Sequence, residues 1–399
     1  MPWKVSGPVS ERLEFVKRWQ DGERVADLCR EFGISRKTAY KLLARFKEEG
    51  PRGLYDRSTA PNSKPNKTPP EVEKVILALR RQHPTWGPKK LCASLRARSP
   101  DLKVPTPATI NNILNRHDVQ RFVQRPRKYR TLHGAPLHTA HQPNDIWCAD
   151  FKGQFKLGSG RYCYPLTITD RFSRFVIRCE GLESTQLETA FTVFEQAFKQ
   201  YGLPRVLRTD NGAPFAGPGI WGLTRLSVRW MRLGIWPERI APAHPEQNGQ
   251  HERMHLDLKR ETTRPAGPNF LQQQQRFDRF VEIYNYERPH EALGQKPPAT
   301  VYRPSPRRIP STLPELEYPF HDMSALVQGN GVITFSNQEQ FTVSQVLRGH
   351  NVGLREVDPD RWVVSFMDHD LGHYDSNRKT FEPTNAIIPA RRSGSPQPQ

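Results

Sequence analysis

Three stretches of the chain carry acids placed where they can do chemistry: Asp150 in WCADF, Asp210 in RTDNG, and Glu246 with Glu252 in HPEQNGQHERMH, residues 244–255. An aspartate inside an apolar strand is costly unless it is paired or bound to a cation. Two such acids on neighbouring strands hold a hard divalent ion through oxygen ligands. Asp-Asn-Gly also favours a tight turn by itself, so Asp210 reads either as a ligand or as a turn residue. HPEQNG is loop-like, whereas QHERMHLDLKRE supports a helix beginning near Asn248 or Gly249, with Glu252 in its first turns. A helix holds a carboxylate more firmly than a Pro-led loop does, which makes Glu252 the candidate third acid. Lys259, seven residues later on nearly the same helical face, is a candidate phosphate contact; a solvated lysine is the other reading.

The elements that must position these acids follow from periodicity. From about residue 144 the pattern is strand-like: DIWCADFKGQFKL and RYCYPLTITD flank GSG as in a hairpin, and FVIRCEGL makes a third strand. Leu187, Ala190, Phe191, Phe194, Phe198 and Tyr201 then recur on a helical period before YGLP ends the helix. RVLRTDNG reads as a short buried strand ending in an acidic turn, and ERIAP as another strand. Three antiparallel strands, a helix and a returning strand predict an α/β core with helices on the sheet faces. Asp150 falls within the first strand and Asp210 at the end of the fourth, where open α/β sheets place ligand crevices. Farther on, GVITF, NVGLREV and RWVVSF, separated by tight turns, predict a small β-barrel over residues 322–388, and PARRSGSPQPQ a disordered tail over 389–399.

With 399 residues the chain is too long for one ordinary core. Its net charge of +19 is concentrated at the amino-terminal end, where residues 1–130 hold 29 Lys and Arg against 13 Asp and Glu. Such a surplus favours a polyanionic partner such as nucleic acid. The Pro-rich segments 59–70 and 297–320 mark seams between domains. Five cysteines with no Cys-x-x-Cys pair argue against a disulfide framework or a zinc knuckle, and no apolar window reaches the length of a signal peptide or membrane span. Within ERVADLCREFGISRKTAYKLLARFKEEG, Val25, Leu28 and Phe32 fit one helix, Gly33 a turn, and Ser35 the cap of a second helix bearing Tyr40, Leu43 and Phe46. In a DNA-binding unit of this kind the start of the second helix faces the bases, which nominates Arg36, Lys37, Tyr40 and Lys41. A second helical unit follows, with Thr106 as cap and Pro107 at the first helical position, and then a basic arm, RFVQRPRKYR.

Taken together, WCADF, LTITDRFSRF, RTDNG, HPEQNGQHERMH and YNYERPHEALGQKPPATVY resemble the integrase-type DDE transposases of bacterial insertion sequences, relatives of retroviral integrases. The resemblance is close over residues 140–303 and extends to the amino-terminal helical units. It implies an RNase H-like catalytic core with a mixed five-stranded sheet and helices. Two all-α helix-turn-helix units would precede it, at 1–58 and 69–130, the second of helix-turn-helix or winged-helix type, and an SH3-like barrel would follow. Asp150, Asp210 and Glu252 would bind two Mg²⁺ or Mn²⁺ ions, with Asp150 bridging both. The third acid of the family closes a Pro-x-x-x-Gly-x-x-Glu pattern, met by Pro245, Gly249 and Glu252. A common interval of 35 residues between the second and third acids would instead select Glu246, since Glu252 gives 41. Loop length varies cheaply whereas position on a helix does not, and GIWGLTRLSVRWMRLGIWPERIAP carries the extra residues.

The implied activity is transposition: binding the terminal inverted repeats of a mobile element in double-stranded DNA, cleaving its ends with water, then joining the freed 3′-hydroxyl to target DNA. The protein would act as a homo-oligomer in the bacterial cytoplasm, at the nucleoid, away from membranes. Two other readings stay open: a non-catalytic DNA-binding regulator descended from a transposase, and an RNase H-like nuclease that only hydrolyses DNA. No nucleophilic Tyr with clustered Arg and His, as a tyrosine recombinase needs, is evident.

Overall fold

The computed structural model describes residues 7–57, 67–119, 137–217, 219–241, 244–335 and 338–384, and divides into two compact units before and after Thr68. The basic arm at 121–130 and the tail at 389–399 lie outside the described residues. All five cysteines are buried and unpaired.

The first unit comprises α1 (Pro8–Gln20), α2 (Val25–Glu31) and α3 (Arg36–Glu49). Helix, turn and helix stand as the residue types require. Gly33 adopts φ +64°, open to glycine at no steric cost, and the Ser35 hydroxyl accepts a hydrogen bond from the Thr38 N–H at 3.2 Å. Phe15 and Val16 of α1 close the apolar face made by Leu28, Ile34, Ala39, Leu42 and Leu43. That stripe leaves Tyr40 outside: it is 60% exposed rather than sharing the core side with Leu43 and Phe46.

The second unit begins with three helices, α4 (Pro70–Gln82), α5 (Pro88–Arg98) and α6 (Pro107–Arg116), packed around a fully buried Trp86. Thr106 caps α6 through the Thr109 N–H, with Pro107 at the first helical position. No strand occurs among the described residues 67–119, so this stretch is all-helical there, without a wing.

The central sheet contains β1 (Ile146–Phe151), β2 (Phe155–Lys156), β3 (Tyr162–Asp170), β4 (Val176–Leu182), β5 (Val206–Thr209) and β6 (Trp236–Arg239). Its order is β4-β3-β1-β5-β6, with β2 pairing the start of β3. The β1–β3 and β3–β4 pairs are antiparallel and the β1–β5 and β5–β6 pairs parallel, the mixed five-stranded layout expected of an RNase H-like core. ERIAP is misplaced as a strand: β6 starts two residues earlier, because Trp236–Arg239 is what lies in register with Val206–Thr209. Helices α7 (Leu187–Tyr201) and α8 (Arg225–Arg232) cover one apolar face through Phe194, Phe198, Leu226 and Trp230. Helices α9 (Gly249–Thr262) and α10 (Phe270–Glu282) bring Met254, Leu258, Phe277 and Phe280 against Val176 and Cys179.

The carboxyl-terminal β unit has a five-stranded antiparallel sheet, β13-β12-β11-β10-β7, and a hairpin, β8–β9. These are β7 (Met323–Leu326), β8 (Val332–Phe335), β9 (Glu339–Thr342), β10 (Asn351–Asp358), β11 (Arg361–Phe366), β12 (His369–Asp375) and β13 (Thr380–Pro383). Strands β8, β10 and β11 are the three expected from sequence. Their shared core also takes in Leu223, Val228 and Met231 from the segment leading into α8 and from α8 itself.

Candidate active site

Asp150 lies near the end of β1, opposite Thr167 of β3, with its side chain 20% exposed. Asp210 directly follows β5, the parallel neighbour of β1. The turn reading of Asp210 is met, and its second carboxylate oxygen is left over. Its Oδ1 accepts the Gly212 N–H at 3.1 Å, forming the tight turn, and a Cβ on Gly212 would sit 3.1 Å from Oδ2. Glycine there therefore leaves room for the carboxylate.

Glu252 sits in the first turn of α9. The buried stripe His251, Met254, His255, Leu258 and Thr262 seats that helix, and Glu252 lies half-buried at the edge of the stripe. The loop before it is held by the Gln247 side chain, whose Oε1 accepts the Ala241 N–H at 2.8 Å. The Glu246 side chain is outside what the structure describes.

Burial raises the Asp150 carboxyl to about 7; the negative charge of Asp210 adds to this, and that of Glu252 contributes further. Asp150 is thus within electrostatic reach of both other acids. Among the described residues none of the three carboxylates has a Lys or Arg ion-pair partner. Uncompensated hard oxygen donors of this kind fit a divalent cation such as Mg²⁺ or Mn²⁺. Lys259 is exposed on α9, seven residues past Glu252. Half-buried Lys152, just past β1, has its pKa lowered by burial and by the charge of Lys259, against the opposing charge of Asp150, so Lys152 lies within electrostatic reach of both.

Asp150 also sets a pH dependence. In the unfolded chain its carboxyl titrates near 3.8, whereas in the folded chain it holds its proton up to about 7. Between those values the folded state binds more protons, so stability falls as pH rises and the full cost is present above pH 7. In a chelator at pH 8 we expect Asp150→Asn to be more stable than wild type by roughly 1–3 kcal/mol, the difference shrinking toward pH 4. Urea unfolding at both pH values checks this; parallel curves would refute it.

Sequence reasoning missed a buried network beside Asp150. His251 and His255, one helical turn apart on α9, both reach the Thr167 hydroxyl through Nε2, at 2.7 and 2.6 Å. The Thr169 hydroxyl meets His251 Nδ1 at 2.8 Å, and His255 Nδ1 lies 3.7 Å from Asp150 Oδ2. Burial lowers both imidazoles, His251 to about 3, so both are neutral near pH 7. The i, i+4 spacing in QHERMH was the available signal.

The candidate DNA-reading residues Arg36, Lys37, Tyr40 and Lys41 are all exposed at the start of α3. In the second unit α4–α6 is tied to the core by Lys89–Glu291 at 2.7 Å, by Arg98–Glu287, and by Thr85 donating to Glu261 at 2.6 Å.

Comparison with known proteins gives these features a context. The integrase core domain family matches residues 140–245 and, in a second form, 233–298. A helix-turn-helix domain matches 11–61 and a homeodomain-like domain 38–114. The Gag-Pol polyprotein of Baboon endogenous virus (strain M7) is 31% identical over 124 residues, 31% of this chain and 7% of the polyprotein. The Pol polyprotein of Radiation murine leukemia virus (strain Kaplan) is likewise 31% identical over 124 residues, 31% of this chain and 20% of that protein. The chain therefore spans no more than a fifth of the length of either relative. Among solved structures, the HTLV-2 integrase catalytic core domain in complex with magnesium aligns at TM-score 0.34 and 17% identity, covering 41% of this chain and all of that one. The simian T-cell lymphotropic virus intasome in complex with PP2A regulatory subunit B56 gamma aligns at 0.38 and 16%, covering 79% and all of that chain. No helix among the described residues is long and apolar enough to cross a membrane. Residues 140–298 thus match integrase core domain models, and residues 11–114 before them match helix-turn-helix and homeodomain-like models.

Proposed function

We propose that this protein is a transposase that binds the terminal inverted repeats of a mobile element and carries out metal-dependent end cleavage and strand transfer. The observation that carries the reading is the convergence of Asp150, Asp210 and Glu252 from β1, the β5 turn and α9, without a basic partner among the described residues. A pair of Mg²⁺ or Mn²⁺ ions bound there would activate the attacking oxygen and stabilise the leaving oxygen of a phosphodiester. Asp150, central to the three, would hold both ions, with Asp210 and Glu252 each holding one. Lys259 and Lys152 would steady the phosphates on either side. The amino-terminal helical units would supply recognition of the ends, in a homo-oligomer that brings two ends together. The bacterial insertion-sequence origin, and with it action at the nucleoid, belongs to this proposal.

The test is cleavage and joining of labelled DNA carrying the element's own ends, in Mg²⁺ and in Mn²⁺. Cleavage followed by joining supports the transposase; hydrolysis with no joining points to a nuclease; binding with neither points to the regulator.

Recognition has its own signature. Arg36→Ala should relax preference for the ends over random DNA, and Lys41→Ala should weaken both equally. Removing one cationic side chain from a DNA phosphate lowers the slope of log affinity against log salt by about 1. Fluorescence anisotropy at three salt concentrations checks this; unchanged slopes and unchanged preference would remove α3 from the interface.

A further inference from the structure

The Thr167 hydroxyl has one proton and three neighbours: the Asp150 carbonyl oxygen at 3.1 Å and the Nε2 atoms of His251 and His255 at 2.7 and 2.6 Å. The carbonyl can only accept. The single assignment that satisfies all three contacts has Thr167 donating to that carbonyl while both imidazoles donate from Nε2. Each Nδ1 is then a bare lone pair. That of His251 is consumed by the Thr169 hydroxyl at 2.8 Å. That of His255 has no donor within hydrogen-bond range among the described residues, and it faces Asp150 Oδ2 at 3.7 Å.

A lone pair turned toward a carboxylate oxygen is repulsive unless a cation or a proton stands between them. His251 Nε2 and Nδ1 are both occupied, so of the cluster Asp150, His251 and His255, whose potential donor atoms all lie within 4.8 Å of one another, only the Asp150 and His255 atoms remain free for a metal. The Nε2–H bond to Thr167 is the kind of outer contact that fixes the ring and tautomer of a metal-bound histidine.

We infer that His255 Nδ1 is a nitrogen ligand to the cation held by Asp150, giving a mixed oxygen and nitrogen site that prefers Mn²⁺ over Mg²⁺. Imidazole favours transition ions whereas carboxylates serve Mg²⁺ and Mn²⁺ alike, so the preference resides in this one ligand. The inference rests on the metal-dependent reading of the site, but its test needs neither DNA nor turnover.

The experiment is pulsed electron paramagnetic resonance of Mn²⁺ bound to the full chain, unlabelled and grown with ¹⁵N-histidine, beside His255→Gln and His251→Gln. The expected result is an imidazole nitrogen coupling in wild type that changes with the isotope, persists in His251→Gln and is lost in His255→Gln. The ratio of Mn²⁺ to Mg²⁺ affinity should fall about tenfold in His255→Gln alone. Bound Mn²⁺ without nitrogen coupling in wild type, or no bound Mn²⁺ at millimolar concentration, overturns the inference. Should His255→Gln fail to fold, the isotope-dependent wild-type spectrum still decides. Nitrogen coupling in a chain that never cuts DNA would refute the transposase reading and leave this one standing; cutting without coupling would do the reverse.

Discussion

Glu252→Gln is expected to abolish end cleavage and strand transfer, by about 10³-fold or more, while affinity for end-bearing DNA stays within about twofold. Gln keeps the shape and removes only the charge that a cation needs. The five buried residues seating α9 are untouched, so fold and DNA binding persist. Glu246→Gln, outside α9 in the short turn Pro245–Asn248, is expected to keep activity within about threefold. Labelled-end assays of both variants settle which glutamate serves. A dead Glu246→Gln beside an active Glu252→Gln would sink the argument from helical anchoring, and two active variants would remove both from the chemistry.

The second large effect is expected far from the acids in sequence. Arg288 is 4% exposed and bonds Asp257, itself 5% exposed, at 2.5 Å. It also reaches Glu261 at 3.2 Å, and Glu261 accepts from Thr85. The π-helical turn Ile283–Glu287 that follows α10 places Arg288 there, between α9 and the α4–α6 unit. Breaking a buried pair from one side leaves an uncompensated charge, at a cost of about 3–5 kcal/mol. Arg288→Met should therefore lower the Tm by roughly 10 °C. Adding Asp257→Asn should restore much of that loss. Calorimetry of the single and double variants tests it; a loss below about 1 kcal/mol would show the pair to be effectively solvated.

What the sequence disclosed depended on whether the signal was local. Ser35 and Thr106 are caps because capping is decided within three residues, and Asp150 and Glu252 were placed by the period of their own strand and helix. His251, His255 and Lys152 were passed over because their meaning comes from α9 meeting β3 and the end of β1, which no period records. Helix α8 hid a double role for the same reason. Leu226 and Trp230 face the central sheet while Val228 and Met231 face the carboxyl-terminal strands, and on a helical wheel both sets read as core. Strands β7, β9 and β13 escaped because each buries at most one residue, and HDLGHYD of β12 because His369, Asp370, His373 and Asp375 break up its apolar positions.

The shared core between α8 and the carboxyl-terminal strands decides how small a working fragment can be. Cutting the chain after residue 303 would strip the cover from Leu223, Val228 and Met231 and remove Thr384, whose oxygens accept the Trp221 indole N–H at 3.1 and 3.2 Å. Trp221 and Leu223 belong to the span joining Asp210 to α8, so such a trimmed protein would be sticky and would lose the moorings of one of its three acids. The smallest fragment that keeps this span anchored, on this account, runs through Thr384.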